Sequence, residues 1–212
     1  MTTALGKIYS DHHNSNRERD FSVMKDERGT FLRRLVGKGK KVLDIGCRNG
    51  ALTKYFVEGN NVLGIDIDDS ALEEAKKSLG IEIMNIDLNG DWRELGDRKF
   101  DVAVAGEVLE HLYYPGTVIE KVARHLSPRG MFIGSVPNAF SLKNRMRYLV
   151  GRKTHTPLSD PTHINQFHIS ELDSILKRHF RHVKILGLGR YKKLAGMFPG
   201  LFGFDLFFIT TL

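Results

Sequence analysis

The chain has 212 residues, with 32 Lys and Arg against 25 Asp and Glu for a formal charge of +7, and is 41% hydrophobic and 9% aromatic. That length and apolar content suit one globular domain with its own core, and they exclude wholesale disorder and collagen. The lone cysteine, Cys47, excludes an internal disulfide and a multi-thiolate zinc site, while the apolar runs Met131–Val136 and Met197–Leu212 are too short or too interrupted for the roughly 18 residues of a membrane helix.

The first 39 residues begin polar and charged and then carry Phe21, Met24, Phe31, Leu32, Leu35 and Val36 at helical spacing, which predicts a mobile start and one helix. No apolar core of signal-peptide length follows Met1, so the expected compartment is the cytoplasm. From Lys40 short apolar runs alternate with amphipathic stretches. Strands are expected at Lys41–Ile45, Asn61–Ile65, Ile81–Ile86, Asp101–Ala105 and Met131–Val136, and helices at Ala51–Glu58, Ser70–Leu79 and Thr117–Leu126. Repeated strand–helix–strand order implies parallel pairing with crossover helices, hence an α/β sheet with helices on both faces. Residues 138–170, rich in Asn, His, Pro and basic side chains, break this rhythm and read as an insertion with a short helix near Phe140–Leu149. A helix over Glu171–Phe180, N-capped by Ser170, precedes two strands, His182–Leu188 and Asp205–Leu212. The Gly/Phe/Pro-rich loop between those strands is too short for a crossover helix, which predicts an antiparallel hairpin.

Three acidic positions at strand ends carry the chemistry. Lys41-Val-Leu-Asp44-Ile-Gly46-Cys47-Arg48-Asn49-Gly50 runs from a strand into a glycine-bearing turn, where open α/β sheets place ligands. Its Asp-x-Gly-x-x-x-Gly spacing differs from Gly-x-Gly-x-x-Gly, and no Lys-Ser/Thr pair follows, which disfavours dinucleotide and P-loop readings. Asp66, ending the second strand 20 positions after Gly46, is placed to accept both hydroxyls of a ribose. Its neighbours Asp68, Asp69 and Ser70, with Glu73, read as helix caps. Asp87 ends the third strand, where a carboxylate can accept from an amino group.

With these in order, followed by Glu107-Val108-Leu-Glu110-His111 and Ser135-Val-Pro-Asn138, the chain resembles the class I S-adenosylmethionine-dependent methyltransferases over residues 40–138. The stretches around Glu107 and Ser135 look most like the branch that methylates small molecules, quinone precursors included. The resemblance implies a Rossmann-like, seven-stranded, mostly parallel sheet with a C-terminal antiparallel hairpin, in one domain over 1–212: an N-terminal cap to residue 39, a cofactor-binding core over 40–137, an insertion over the acceptor site at 138–170, and a terminal helix and hairpin over 171–212. It places Asp44, Gly46, Cys47, Arg48 and Gly50 around the methionine part of S-adenosylmethionine, Asp66 on the ribose, and Ile67 against the adenine. Asp87 and Leu88 edge the adenine, and Glu107 and Val108 close the pocket. One departure stands out, since Arg48 replaces the family's middle glycine.

The implied reaction moves a methyl group to a small acceptor, at oxygen, and leaves S-adenosylhomocysteine. Because the leaving group is already cationic, positioning supplies much of the catalysis. A hydroxyl acceptor is helped by a base, for which His111 and His163 are the candidates. A metal set from His155, His163 and His168 is disfavoured because no accompanying carboxylates are recognisable, so no metal is expected. Basic residues gather after the core at Lys143, Arg145, Arg147, Arg152, Lys153, Lys177, Arg178, Arg181, Arg190, Lys192 and Lys193, which favours an anionic acceptor. An RNA or protein methyltransferase using this basic insertion, or a non-catalytic cofactor-binding subunit, is the alternative. Aromatic interleaving limited to Tyr148 and Tyr191 ranks nucleic acid below a small molecule. A monomer or homodimer is expected.

Overall fold

The computed structural model describes residues 25–212. The expectations for Phe21, Met24 and the polar start lie outside those residues. Among the described residues, seven strands form one sheet in the order β3-β2-β1-β4-β5-β7-β6. The described residues divide into two compact units, one ending at Val104 and one beginning at Ala105.

In the first unit, helix α1 (Lys25–Val36) follows from the Phe31, Leu32 and Val36 spacing, with Leu32 and Val36 buried. Strands β1 (Lys41–Ile45), β2 (Asn61–Asp66) and β3 (Glu82–Asn85) pair in parallel, Lys41 beside Asn61 and Asp66 beside Asn85. The near-continuous burial of Val42, Leu43, Ile45, Val62, Leu63 and Ile65 is what a parallel sheet covered on its faces requires. Helix α2 (Asp69–Leu79) is N-capped by Asp68, whose Oδ1 accepts from Ser70 N and Ala71 N at 3.0 and 3.2 Å, and it ends at Gly80 in the left-handed conformation.

The helix expected at Ala51–Glu58 does not form. Its place is taken by one 3-10 turn, Thr53–Tyr55. The run Thr53-Lys-Tyr-Phe-Val is dominated by β-branched and aromatic side chains of low helix propensity, and Thr53 is drawn inward to a buried acid, so the segment stops after a turn.

Strand β4 is Phe100–Gly106. In the second unit, α3 (Pro115–His125) leads directly into β5 (Leu126–Pro137), a longer strand than expected. Helices α4 (Leu142–Leu149) and α5 (Ile169–Lys177) precede β6 (His182–Leu188), and β7 is Asp205–Thr211. Strand β7 lies antiparallel between β5 and β6, so the predicted hairpin strands do pair, Leu188 beside Asp205. The connection between them carries two short helices, α6 (Lys192–Met197) and α7 (Pro199–Phe202), instead of an irregular loop. Ring contact between Phe132 and Phe208, centroids 4.9 Å apart, fills the core there. Among the described residues, no helix is long and apolar enough to cross a membrane.

Candidate active site

The first unit gathers its acids at the carboxyl ends of β1 and β2. After Ile45 the chain turns through Gly46 (φ 66°), Arg48 (φ 51°) and Gly50 (φ 81°), so three positions in five are left-handed. Glycine supplies that conformation at no steric cost at two of them; Arg48 adopts it with a side chain. At Gly50 a side chain is excluded twice, by φ and by Leu79 packed against the position. The turn is tied to β2 by Gly46 N and Cys47 N, which donate to Ile65 O at 2.8 and 3.2 Å. Cys47 is buried and its thiol is pushed up by that burial, which makes it a packing group and not a nucleophile.

Asp66 is held at both oxygens: Arg48 N donates to Oδ2 and Asp68 N to Oδ1, each at 3.0 Å. Burial raises its pKa while these N–H groups work the other way. A carboxylate offers about four acceptor positions, so Asp66 keeps capacity for hydroxyl donors. Asp44 is only 4% exposed, and burial, opposed by a hydrogen bond from Thr53 Oγ1 at 2.5 Å and reinforced by the charge of Asp66, raises its pKa to about 7. A buried carboxyl whose ionisation is made costlier by a half-buried neighbour fits a ligand carrying hydroxyls and a positive group. Ile67 is half-buried beside them, and its carbonyl accepts from Asn85 Nδ2 at 3.1 Å. Asp87 is half-buried and closes a turn of its own, accepting from Asn89 N at 2.9 Å, and the carbonyl of Leu88 accepts from Trp92 Nε1 at 3.3 Å.

The second unit collects the remaining predicted residues. Glu107 is left-handed (φ 59°); its N–H donates to Ser135 O at 3.0 Å and its Oε1 accepts from Ser135 Oγ at 3.1 Å. Val108 is buried. His111 sits in a 3-10 turn, Leu109–His111, with Nδ1 2.9 Å from Thr162 O; His163 Nδ1 is 3.1 Å from Pro157 O. A carbonyl only accepts, so in each ring Nδ1 is the nitrogen that donates there. The two rings meet edge to face with centroids 4.8 Å apart. Beside them, Glu110 Oε1 is 3.9 Å from His111 Nε2, and Asp160 Oδ2 is 3.7 Å from His163 Nε2.

The stretch Ser135–Asn138 has a structural role as well. Asn138 Nδ2 reaches Pro199 O, Gly200 O and Gly203 O at 3.3, 3.1 and 2.9 Å, pinning the connection before β7.

A family model described as a methyltransferase domain matches residues 16–179. The chain belongs to that methyltransferase family. Over 120 residues it is 33% identical to a ubiquinone biosynthesis O-methyltransferase of Thiobacillus denitrificans, a match covering 53% of this chain and 49% of that protein. The protein of the same name from Actinobacillus pleuropneumoniae serotype 7 is 34% identical over 122 residues, covering 53% and 52%. This chain thus spans about half the length of the curated relatives it matches. A SAM dependent methyltransferase from Archaeoglobus fulgidus shares the fold, with a TM-score of 0.68 at 20% identity over 97% of this chain and 99% of that one.

Several working residues of this methyltransferase chain escape the motif reading. Thr53 and Asn85 serve the acids of the first unit, and only their nearness to the strand ends signals it. Glu110 lies inside the Glu107–His111 stretch and is 1% exposed, yet nothing in its spacing marks it as a partner of the histidines. His168, not Ser170, caps α5: its Nδ1 lies 3.3 Å from Ser170 N, while Glu171 Oε2 accepts from His168 N at 2.9 Å in a reciprocal capping box. His155, His163 and His168 are not brought together as one ligand set. Basic residues of the insertion are engaged locally, Arg145 Nε with Phe140 O at 2.7 Å and Arg147 Nη1 with Thr154 O at 2.7 Å.

Proposed function

We propose that the chain is an S-adenosylmethionine-dependent methyltransferase that methylates a small molecule at oxygen. The observation that carries the reading is the glycine turn with its two acids, the buried Asp44 and the half-buried Asp66, the latter anchored by Arg48 N–H and Asp68 N–H. In this reading Asp66 takes the ribose hydroxyls and Asp44 the methionine amino group. Gly46, Cys47, Arg48 and Gly50 shape the floor, with Ile67, Asp87 and Leu88 toward the adenine. When bound, the cofactor supplies an electrophilic methyl group on a sulfonium. The chain's own residues hold and orient it, and on the acceptor side the Nε2 lone pairs of His111 and His163 serve the hydroxyl that loses its proton.

The names of the curated relatives support oxygen as the acceptor atom and a quinone precursor as the acceptor class. The local engagement of Arg145 and Arg147 speaks against an RNA-holding insertion. Because the family match crosses residue 104, we read residues 1–212 as one methyltransferase domain. A buried single thiol accords with a cytoplasmic protein.

Calorimetric titration with S-adenosylmethionine and S-adenosylhomocysteine, with NADH as control, tests the reading. Binding of the first two and not the third is expected, and binding of none of the three overturns it. For Glu107 and Val108 the same titration on Glu107→Gln applies, with weakened binding expected. Transfer of label from S-adenosylmethionine to catechol-type acceptors and not to RNA separates the small-molecule reading from its rival.

A further inference from the structure

The turn that carries His111 and the loop that carries His163 are tied together by hydrogen bonds, and one residue of the loop, Asn165, makes two of them. Its backbone N–H donates to Glu110 O at 2.9 Å, and its side-chain Nδ2 donates to Leu112 O. Those two carbonyls belong to the residues on either side of His111, so a half-buried side chain 53 positions from Leu112 grips the turn before and after the ring. A further bond, from His111 Nδ1 to Thr162 O at 2.9 Å, fixes the ring itself. Each piece is also bonded internally. In the turn, His111 N donates to Val108 O at 3.0 Å and Leu112 N to Leu109 O at 3.3 Å, with Leu109 and Leu112 buried. In the loop, Asp160 Oδ1 accepts from Thr162 N and Thr162 Oγ1 at 2.9 and 2.6 Å, and Gln166 Nε2 donates to His163 O at 3.2 Å. Two locally fixed pieces therefore meet through Asn165 and Thr162, and that meeting sets the edge-to-face pose of the rings, centroids 4.8 Å apart. Asparagine suits the place for a chemical reason. Leu112 O needs a donor, which an ionised aspartate lacks, and the bond to Glu110 O needs a backbone N–H, which proline lacks.

We propose that Asn165 is a positioning residue for the acceptor-side histidines: by gripping Glu110 O and Leu112 O it holds the His111 ring in register with His163. The grip stands on these hydrogen bonds alone; its consequence for rate rests on the methyl-transfer reading above. Asn165 acts through the turn and not on the reacting atoms. A reacting group misplaced by an ångström loses about 100-fold in rate, so a slackened turn is felt in turnover. Asp44 and Asp66 are held by Thr53, Arg48 and Asp68 of the first unit, and cofactor affinity is therefore independent of the grip.

The test reads the ring directly. In the uniformly 15N-labelled full chain, correlation of the ring nitrogens with their carbon-bound protons reports which nitrogen of His111 donates, and His111→Gln identifies the signals by their loss. The parent should show the Nδ1 donor state that Thr162 O imposes. Asn165→Ala removes the side-chain donor and adds no charge. It should keep the circular dichroism spectrum, move the His111 nitrogen shifts toward those of free histidine, and lower kcat with a catechol-type acceptor by about 10-fold or more. The dissociation constant for S-adenosylmethionine should stay within about twofold of the parent. Asn165→Asp, equal in shape but without the donor, serves as the second variant if the first unfolds, with the same outcome expected. Unchanged His111 shifts in a folded variant overturn the proposal, and so does an unchanged kcat. A parent chain that transfers no methyl group overturns the methyl-transfer reading alone, because the nitrogen shifts still decide whether Asn165 holds the ring.

Discussion

The glycine turn of the first unit and the histidine pair of the second are built in opposite ways. The turn is consecutive in sequence and its acids are positioned by backbone N–H groups a few residues off, as Asp66 is by Asp68 and Arg48. The histidines are assembled from distant positions and are braced by carbonyls of a loop, Thr162 for His111 and Pro157 for His163. The difference teaches where each part is vulnerable. Binding chemistry in the turn is protected by main-chain geometry that most side-chain substitutions leave alone, whereas the histidine pair depends on the loop keeping its conformation.

The sharpest way to break this comparison is to remove the rings. His111→Ala and His163→Ala should each lower methyl transfer by about 100- to 10,000-fold while leaving the dissociation constant for S-adenosylmethionine within about twofold. A matching loss of cofactor affinity would merge the two regions into one function.

Next in size is the linkage of Asp44. Unfolded, this carboxyl titrates near 3.8; folded, near 7. Between those values the folded chain keeps a proton that the unfolded chain has lost. Stability therefore falls as pH rises through this window, by up to about 4 kcal/mol, and the loss is complete above pH 7. Asp44→Asn, which still accepts from Thr53, should unfold later in urea than the parent at pH 8 and no later at pH 3.5. Parallel pH profiles for the two proteins would place the charge of Asp44 elsewhere in the balance.

Asp66→Ala follows, with cofactor affinity down by about 1.5–3 kcal/mol, the value of hydrogen bonds to a charged acceptor, and an unchanged dissociation constant would remove the ribose assignment. The smallest effect belongs to Arg48→Gly. It relieves a left-handed side chain and adds freedom to the unfolded chain, so stability should move by less than about 1 kcal/mol. The N–H that serves Asp66 is retained, and chemical denaturation reads the outcome.

The alternation of apolar runs and amphipathic stretches from Lys41 onward was sufficient to place the seven strands of the described residues, most plainly β1 and β2, because a strand buried on both faces is apolar throughout and a crossover helix is apolar on one stripe. Asp44 and Asp66 were legible for the same reason: they are the residues at which those runs end. Local chemistry also misled. The segment after Gly50 has a helix's length but lacks its propensity, and the side chain that caps α5 is an imidazole two residues before the serine that looks the part. Tertiary structure alone decided that Thr53 reaches Asp44, that Asn138 ties down the connection before β7, and that polar atoms of Glu110, His111 and His163 come within 4.8 Å of one another. Periodicity reports which face of an element is buried; which distant side chains meet there depends on loop paths that no pattern of nearest neighbours encodes.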